Sequence, residues 1–446
     1  MLKHLFIATV ALVPTLWISG CTVHPPGERR ERDLASQEGK TFQTPTTQRV
    51  LPTLPNQPTP DDLVRYALLT SPELEQRYWD WRAAIEQIPQ DGTQATNLAI
   101  TGGTSISRGT MSLDRTTLTL NNDPMADIVW PTKLSAAAHR ALDDARAADL
   151  RFQRAKLELR QKVLEASYDY ALTVEQIRLE TASAELLKTI QTTVEARSAT
   201  GSATQQDVLK ARNELDLSLN DIANMRSQQA GQRAAIHALL SLPPDAKLNV
   251  SEQLPQPRPL ESTDAQIIER AAQHNPELQA LAMERRAQHE TVRLAHMQYI
   301  PDFSLSAGSD LAGIMQSLSG MVTIPILRHQ AVEAAIAQAE ARLNAADAMV
   351  RQSGNDLASR LLLDIAIVRD ADRQLALFDG TLMPRAQQIV TLSRTGYETG
   401  QLPATDLFES QRSMLSLQKL IANLKIAREK RRVDIETAQS FMPTMN

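Results

Sequence analysis

The chain has 446 residues, with 47 Lys and Arg against 52 Asp and Glu. Residues 1–20 hold only Lys3 among these, so the remainder stands at 46 against 52, and no basic face emerges for a nucleic-acid partner. Aromatic residues make up 4% and glycines number 16, fewer than an enzyme of this length needs around its turns and pockets, and suited to long helices rich in Ala, Leu, Gln, Glu and Arg.

Lys3 and His4, the apolar run Leu5 to Trp17 and the small-residue site Ile18-Ser19-Gly20 make residues 1–20 a secretory signal, with a run too short to span a bilayer as a helix. Cys21, the only cysteine, follows directly and has neither a disulfide partner nor metal-ligand company. Residues 21–60, with prolines at 25, 26, 45, 52, 55, 58 and 60, predict an extended tether without a core. Leu63, Val64, Ala67 and Leu68 share one helical face that stops at Pro72. A second helix runs from Glu73 to Ile88 and is expected to end before Pro89. Residues 93–130 alternate apolar with small polar residues in Leu98-Ala99-Ile100-Thr101 and Leu118-Thr119-Leu120, punctuated by glycines, which predicts a β-hairpin.

Residues 132–241 predict a long helical hairpin. From Lys133 to Ala199 there is no proline or glycine, a helix on the order of 100 Å long. Leu150, Leu157, Leu164 and Ala171 recur every seven residues, and Val208, Ala211, Leu215, Ser218, Ile222, Met225, Gln229, Gln232, Ile236 and Leu239 continue a coiled-coil seam diluted by small and polar residues. Prolines 243, 244, 255, 257 and 259 mark a linker over 242–262. Residues 263–441 then repeat the scheme: a hairpin over 302–325 and a helical hairpin over 326–441, whose last seam is Met414, Leu417, Ile421, Leu424, Arg428, Arg431, Ile435 and Ala438.

The repetition is explicit. Ser71-Pro72-Glu73-Leu74 returns as Asn275-Pro276-Glu277-Leu278, Trp130-Pro131 as Ile324-Pro325, and Thr200-Gly201…Asp207-Val208-Leu209 as Thr399-Gly400…Asp406-Leu407. The offsets of 204, 194 and 199 residues make the unit half the chain, a duplicated domain half rather than a solenoid repeat. Gly201 and Gly400 stand where each helical hairpin must reverse.

These motifs, with Pro301-Asp302-Phe303-Ser304-Leu305 and Tyr397-Glu398-Thr399-Gly400, resemble in order and spacing the TolC-like outer-membrane efflux protein family, from about residue 61 onward. Ile18-Ser19-Gly20-Cys21 resembles the bacterial lipobox and points to the family's lipoprotein branch, with Cys21 carrying covalent lipid, and Thr22 in place of Asp favours the outer membrane. The resemblance implies a mainly α fold with a small β part: three protomers give four strands each to a 12-stranded outer-membrane β-barrel, continued by a periplasmic α-helical coiled-coil barrel. It implies a homotrimer that docks on a periplasmic adaptor protein and an inner-membrane pump, serving tripartite efflux or type I secretion as a passive exit duct, with no cofactor beyond the lipid.

The same resemblance assigns residues. Asp406 and Glu409, three apart on one helix face, would ring the lumen as a gate. Asp207 and Tyr397 match positions that hydrogen-bond between the helical hairpins at the constriction. Thr200, Gly201, Ser202, Thr399, Gly400 and Gln401 would form the adaptor-docking turns. Three departures stand out. The family's arginine after the second turn glycine is replaced by Leu402. The helix between Pro72 and Pro89 reads about ten residues shorter than its counterpart between Pro276 and Pro301. The strands are poor in aromatics, with Trp130 and Phe303 the girdle candidates.

Other readings are weaker. His289 and His296, with Met283 and Met297 nearby, offer a soft-metal site. Arg428, Lys430, Arg431 and Arg432, interleaved with Glu429 and Glu436, read as a salt-bridged outer face. No nucleophile elbow, Walker loop, HExxH or CxxC occurs, so the chain reads as a non-enzyme. The rival to a duct is a periplasmic coiled-coil lipoprotein with a scaffolding or adhesive role, which gives no reason for two strand pairs at matched places.

Overall fold

The computed structural model of the chain describes residues 22–45, 48–93, 98–104, 116–122, 129–243, 246, 248–260, 262–310, 316–323 and 328–440. Residues 1–20, Cys21 and Ile324-Pro325 lie outside them. The chain is mainly α with a small β part, and it forms two compact units. One comprises the chain up to Lys40 with Gln76–Phe152 and Glu277–Ser353; the other comprises Thr41–Glu75, Gln153–Pro276 and the chain from Gly354. Among the described residues no helix is long and apolar enough to cross a membrane.

In the first unit a four-stranded antiparallel sheet runs in the order β1 (Leu98–Thr104), β2 (Thr116–Asn122), β3 (Asp302–Asp310), β4 (Gln316–Thr323). Each half of the chain supplies one hairpin, and the two join through β2 and β3, with Thr117 opposite Asp310 and Asn121 opposite Ser306. Among the described residues no strand lies beside the outer sides of β1 and β4. Where the hairpins meet the helices, Lys133 Nζ donates to Asp302 Oδ1 at 2.7 Å and to the Ile300 carbonyl at 2.9 Å. Trp130 and Phe303 pack edge to face, 5.7 Å between centroids, and Trp130 Nε1 donates to the Pro301 carbonyl.

Two expectations for this unit change together. The tether is not extended throughout, because α1 (Glu28–Phe42) forms within it. The next helix but one, α3 (Pro72–Gly92), does not end before Pro89 but runs through it. Proline lacks the N–H that would bond the carbonyl four residues back, here Ile85. Arg32 of α1 brings Nη2 to 3.5 Å from that carbonyl and Nη1 to 3.0 Å from Glu86 Oε1. Glu31 accepts from the buried Trp81 Nε1 at 3.1 Å, and Trp81 stacks on Phe152 at 5.8 Å. Thus α3 spans 21 residues, as does its counterpart α7 (Pro276–His296), and the expected length difference between the halves is absent.

The second unit contains α2 (Pro60–Thr70) and α6 (Asp264–His274), the paired short helices of the two halves. Each starts with a threonine cap closed into a reciprocal box, Thr59 with Asp62 and Thr263 with Gln266. Each ends two residues before a proline, with Ser71 or Asn275 as the extended residue between. Helix α4 (Pro131–Ala199) is a single run of 69 residues, and α5 (Gln205–Leu239) returns beside it with Val208, Ala211, Ser218, Ile222 and Ile236 buried. In the other half, α8 (His329–Leu377) passes through one π-turn, Phe378–Leu382, into α9 (Met383–Glu398), and α10 (Ala404–Ala438) returns.

The charged stretch of α10 is not an outer face. Arg428, Glu429 and Glu436 are 2%, 0% and 5% exposed. Arg428 pairs with Asp372 and Glu429 and donates Nη2 to the Arg258 carbonyl at 2.8 Å. Glu436 accepts from the buried Arg160 at 2.9 Å, and Glu429 accepts the Arg258 backbone N–H at 3.3 Å. Buried charges persist only when paired, and the pairing fastens the proline-rich linker to the last helix through Arg258. Of the two seam arginines, Arg428 is buried and Arg431 is exposed.

Candidate functional site: the paired helix turns

The two helical hairpins reverse through the same backbone construction. Gly201 and Gly400 adopt φ +73° and +77°, which glycine tolerates without strain. In the first turn Ser202 N–H bonds the Arg197 carbonyl at 2.8 Å and Gly201 N–H the Ser198 carbonyl at 3.0 Å. In the second, Gln401 N–H bonds the Gly396 carbonyl at 2.8 Å and Gly400 N–H the Tyr397 carbonyl at 3.1 Å. Both are Schellman closures. Thr200, Gly201, Ser202, Thr399, Gly400 and Gln401 are all exposed at the turn tips.

The turns differ one step later. Thr204 caps α5, and its hydroxyl and backbone N–H both bond Asp207 Oδ2, at 2.7 and 3.1 Å. At the equivalent cap of α10 stands Pro403, which has neither hydroxyl nor N–H. Asp406, equivalent to Asp207, therefore lacks both donors. It is exposed, in the first turn of α10, with Glu409 also exposed on the same face. Arg412, one turn beyond Glu409, is ion-paired to Glu214.

Tyr397 is 5% exposed, and burial pushes its phenol up, opposed by the nearby Arg197 charge. The Arg197 guanidinium lies 4.7 Å from the Tyr397 ring centroid and donates Nη1 to the Tyr397 carbonyl, a cation–π stack combined with a charge-assisted bond to the end of α9. The contact across the hairpins thus comes from Arg197, which sequence reasoning did not single out, while Asp207 serves its own helix cap. The only sequence signal was an arginine four residues before Gly201. Leu402, in the place where the family has arginine, lies against Gly396, where an added Cβ would stand 2.7 Å from Leu402 Cδ1. Below the turns Leu187, Ile190, Val194, Val208, Ala211, Ala404, Leu407 and Phe408 form one apolar cluster with Tyr397.

Outside the turns, His296 lies 4.0 Å from Glu340, and among the described residues no group of three His, Cys, Asp or Glu is gathered for a metal ion.

Residues 267–439 match the family described as outer membrane efflux protein. No curated protein matches the chain. Among solved structures, VceC of Vibrio cholerae, an outer membrane protein, superposes with TM-score 0.73 at 18% identity, covering 86% of this chain and 97% of that one. A membrane protein from Pseudomonas aeruginosa gives 0.72 at 19%, covering 89% and 99%. CusC, described by conformational changes that accompany its folding and transmembrane channel formation, gives 0.71 at 17%, covering 85% and 92%. At these identities the likeness is one of fold. The resemblance read from the duplicated motifs is thereby shown, by sequence over most of the second half and by fold over most of the chain.

Proposed function

We propose that this chain, which carries an outer membrane efflux protein domain and the fold of solved outer-membrane channels, is the exit duct of a tripartite efflux or type I secretion system. The observation that carries the reading is the four-stranded sheet with two free edges, drawn equally from both halves and continued by long helices. In lipid each unpaired N–H or C=O costs several kcal/mol, so such a sheet must close on other copies. Three copies give a 12-stranded barrel of a width that leaves a lumen. Cys21 is the lipid anchor, the paired turns are the docking surface for a periplasmic adaptor that couples to an inner-membrane pump, and the duct is passive.

The turns also form the gate. Pro403 leaves Asp406 without a cap partner, and threefold symmetry sets Asp406 and Glu409 as six carboxylates around one bore. Like charges so crowded are relieved by a polyvalent counterion. Because Arg412 stands one turn from Glu409, Asp406 carries the larger share. Planar-bilayer recordings of the lipidated protein test this with hexaamminecobalt(III) as the blocker. Block from one side only is expected, lost in Asp406→Ala and weakened in Glu409→Ala. Block that survives in the double variant would remove the gate assignment, and absence of any channel would remove the duct.

A further inference from the structure

We infer that Glu180 is the pivot of the paired helix turns: a buried carboxylate that holds α5 and α10 to α4 and limits how far up the bundle the two helical hairpins can part. Glu180 is 4% exposed on α4. Its Oε1 accepts from Ser218 Oγ of α5 at 2.8 Å, and its Oε2 is ion-paired to Lys419 Nζ of α10. Three helices drawn from both halves of the chain therefore meet on one side chain. Ser218 is itself buried and is one of the polar residues that dilute the α5 seam; a hydroxyl stands there because a carboxylate faces it.

The pivot ends a ladder of polar pairs. Helices α4 and α10 run antiparallel, and Glu180 with Lys419, Gln176 with Asn423 at 3.2 Å and Asp169 with Lys430 at 2.6 Å keep one register. Each step of four or seven residues back along α4 is matched by the same step forward along α10. Farther along, Arg160 reaches Glu436. These residues lie on a different side of α10 from its seam with α8, where Arg428 meets Asp372 and Ile435 joins an apolar cluster with Leu361 and Val368. One side of α10 thus binds its own hairpin and the other binds the partner hairpin.

Toward the turns the hairpins are joined differently, by the apolar cluster around Val194 and Leu407, by Arg197 on Tyr397 and by the exposed Arg412 with Glu214. An exposed ion pair holds little. Drawing Lys419 away from Glu180 instead strands a buried charge with one hydroxyl, which is strongly unfavourable. A separation that starts at the turns therefore stops at Glu180. Glu180, Ser218 and Lys419 stand 21, 17 and 19 residues from the nearest turn glycines, so about 30 Å of hairpin lies beyond the pivot. Its bearing on opening rests on reading the turns as the gate; the three-helix contact does not.

The test is backbone hydrogen exchange in the full lipidated protein, comparing the parent with Glu180→Gln, Lys419→Gln and the double variant. Each single variant removes one charge of the pair, while the double gives two amides, like Gln176 with Asn423 one turn away. Each single variant is expected to speed exchange over residues 405–424 about tenfold or more and to leave residues 430–437 at the parental rate. The double variant is expected to recover most of the protection. Faster exchange spread evenly along α10, parental exchange in both single variants, or a double variant no better protected than the singles overturns the proposal. If the single variants do not assemble, Ser218→Ala removes one donor and keeps the ion pair; faster exchange confined to α5 around residue 218 supports the pivot, and parental exchange there overturns it. Exchange that follows the pivot while channel opening in Glu180→Gln stays parental leaves the proposal standing and removes the gate reading instead.

Discussion

Asp207 and Asp406 occupy the same step, six residues after Gly201 and Gly400, and differ in what precedes them. The first is consumed by the Thr204 cap; the second faces a proline that can give it nothing. Pro403→Thr should therefore build the missing capping box, stabilising the tip by about 1 kcal/mol while tying down the Asp406 carboxylate. A raised Tm with weaker trivalent-cation block is the expected pair of results; block at parental strength would mean that Asp406 does not act as a free carboxylate. Farther along α10, Asp434 is pushed up to about 6, first by burial and then by the facing carboxylates Asp364 and Glu165, against the pull of Arg431. A raised carboxyl binds its proton in the folded chain before the unfolded one does, so its contribution is fully present below about pH 4 and is lost as pH rises through 6. At pH 7 the ionised group costs on the order of 3 kcal/mol. Asp434→Asn keeps an acceptor for Gln161, which donates to Oδ1 at 2.7 Å, and leaves Arg431 beside Asp364. It should raise Tm at pH 7 and change it little at pH 4; equal shifts at both pH values would contradict the assignment.

At the scale of elements, the places where the sequence misled share a cause, which is that one element's ending was decided by another. Pro89 signals a helix end only if the Ile85 carbonyl has no other neighbour, and Arg32, 53 residues earlier, comes to it. The same proline count that marks 21–60 as a tether hides α1, whose Glu31 and Arg32 make sense only once Trp81 and Glu86 are beside them. The α10 charges likewise read as solvated until the linker and α4 cover them. Capping boxes, turn glycines and the α5 seam were legible because their partners lie within a few residues. Gly92 ends α3 at such a long-range junction: Val23 N–H bonds the Gly92 carbonyl at 2.9 Å, and a Cβ on Gly92 would stand 2.5 Å from the Val23 carbonyl oxygen. Gly92→Ala should cost about 1–3 kcal/mol by overpacking and release the start of the described chain, seen as faster hydrogen exchange in α1. Unchanged protection of α1 would show that the junction does not hold it.

For the whole molecule, the duplicated motifs predicted two hairpins and two long helical pairs, while the gate role proposed for Asp406 and Glu409 came from the family resemblance and not from their spacing. The Arg197 contact was not legible, because nothing local says which of several arginines reaches Tyr397 some 200 residues later. The need for other copies follows from the sheet. Among the described residues one chain offers four strands in the order β1 to β4 with both outer strands open, which water tolerates and hydrocarbon does not. Two copies would make an eight-stranded barrel whose interior side chains fill, so a duct with a lumen needs at least three. Three copies of a chain of 49.3 kDa, each lighter by residues 1–20 if these are removed as the proposed signal, are expected by native mass spectrometry of detergent-extracted protein. Removing the β3–β4 hairpin should leave a helical chain that no longer assembles as a trimer or inserts into liposomes, because neither free edge then finds its mate. A stable trimer without that hairpin would place assembly in the helices alone and take the sheet out of the argument for a duct.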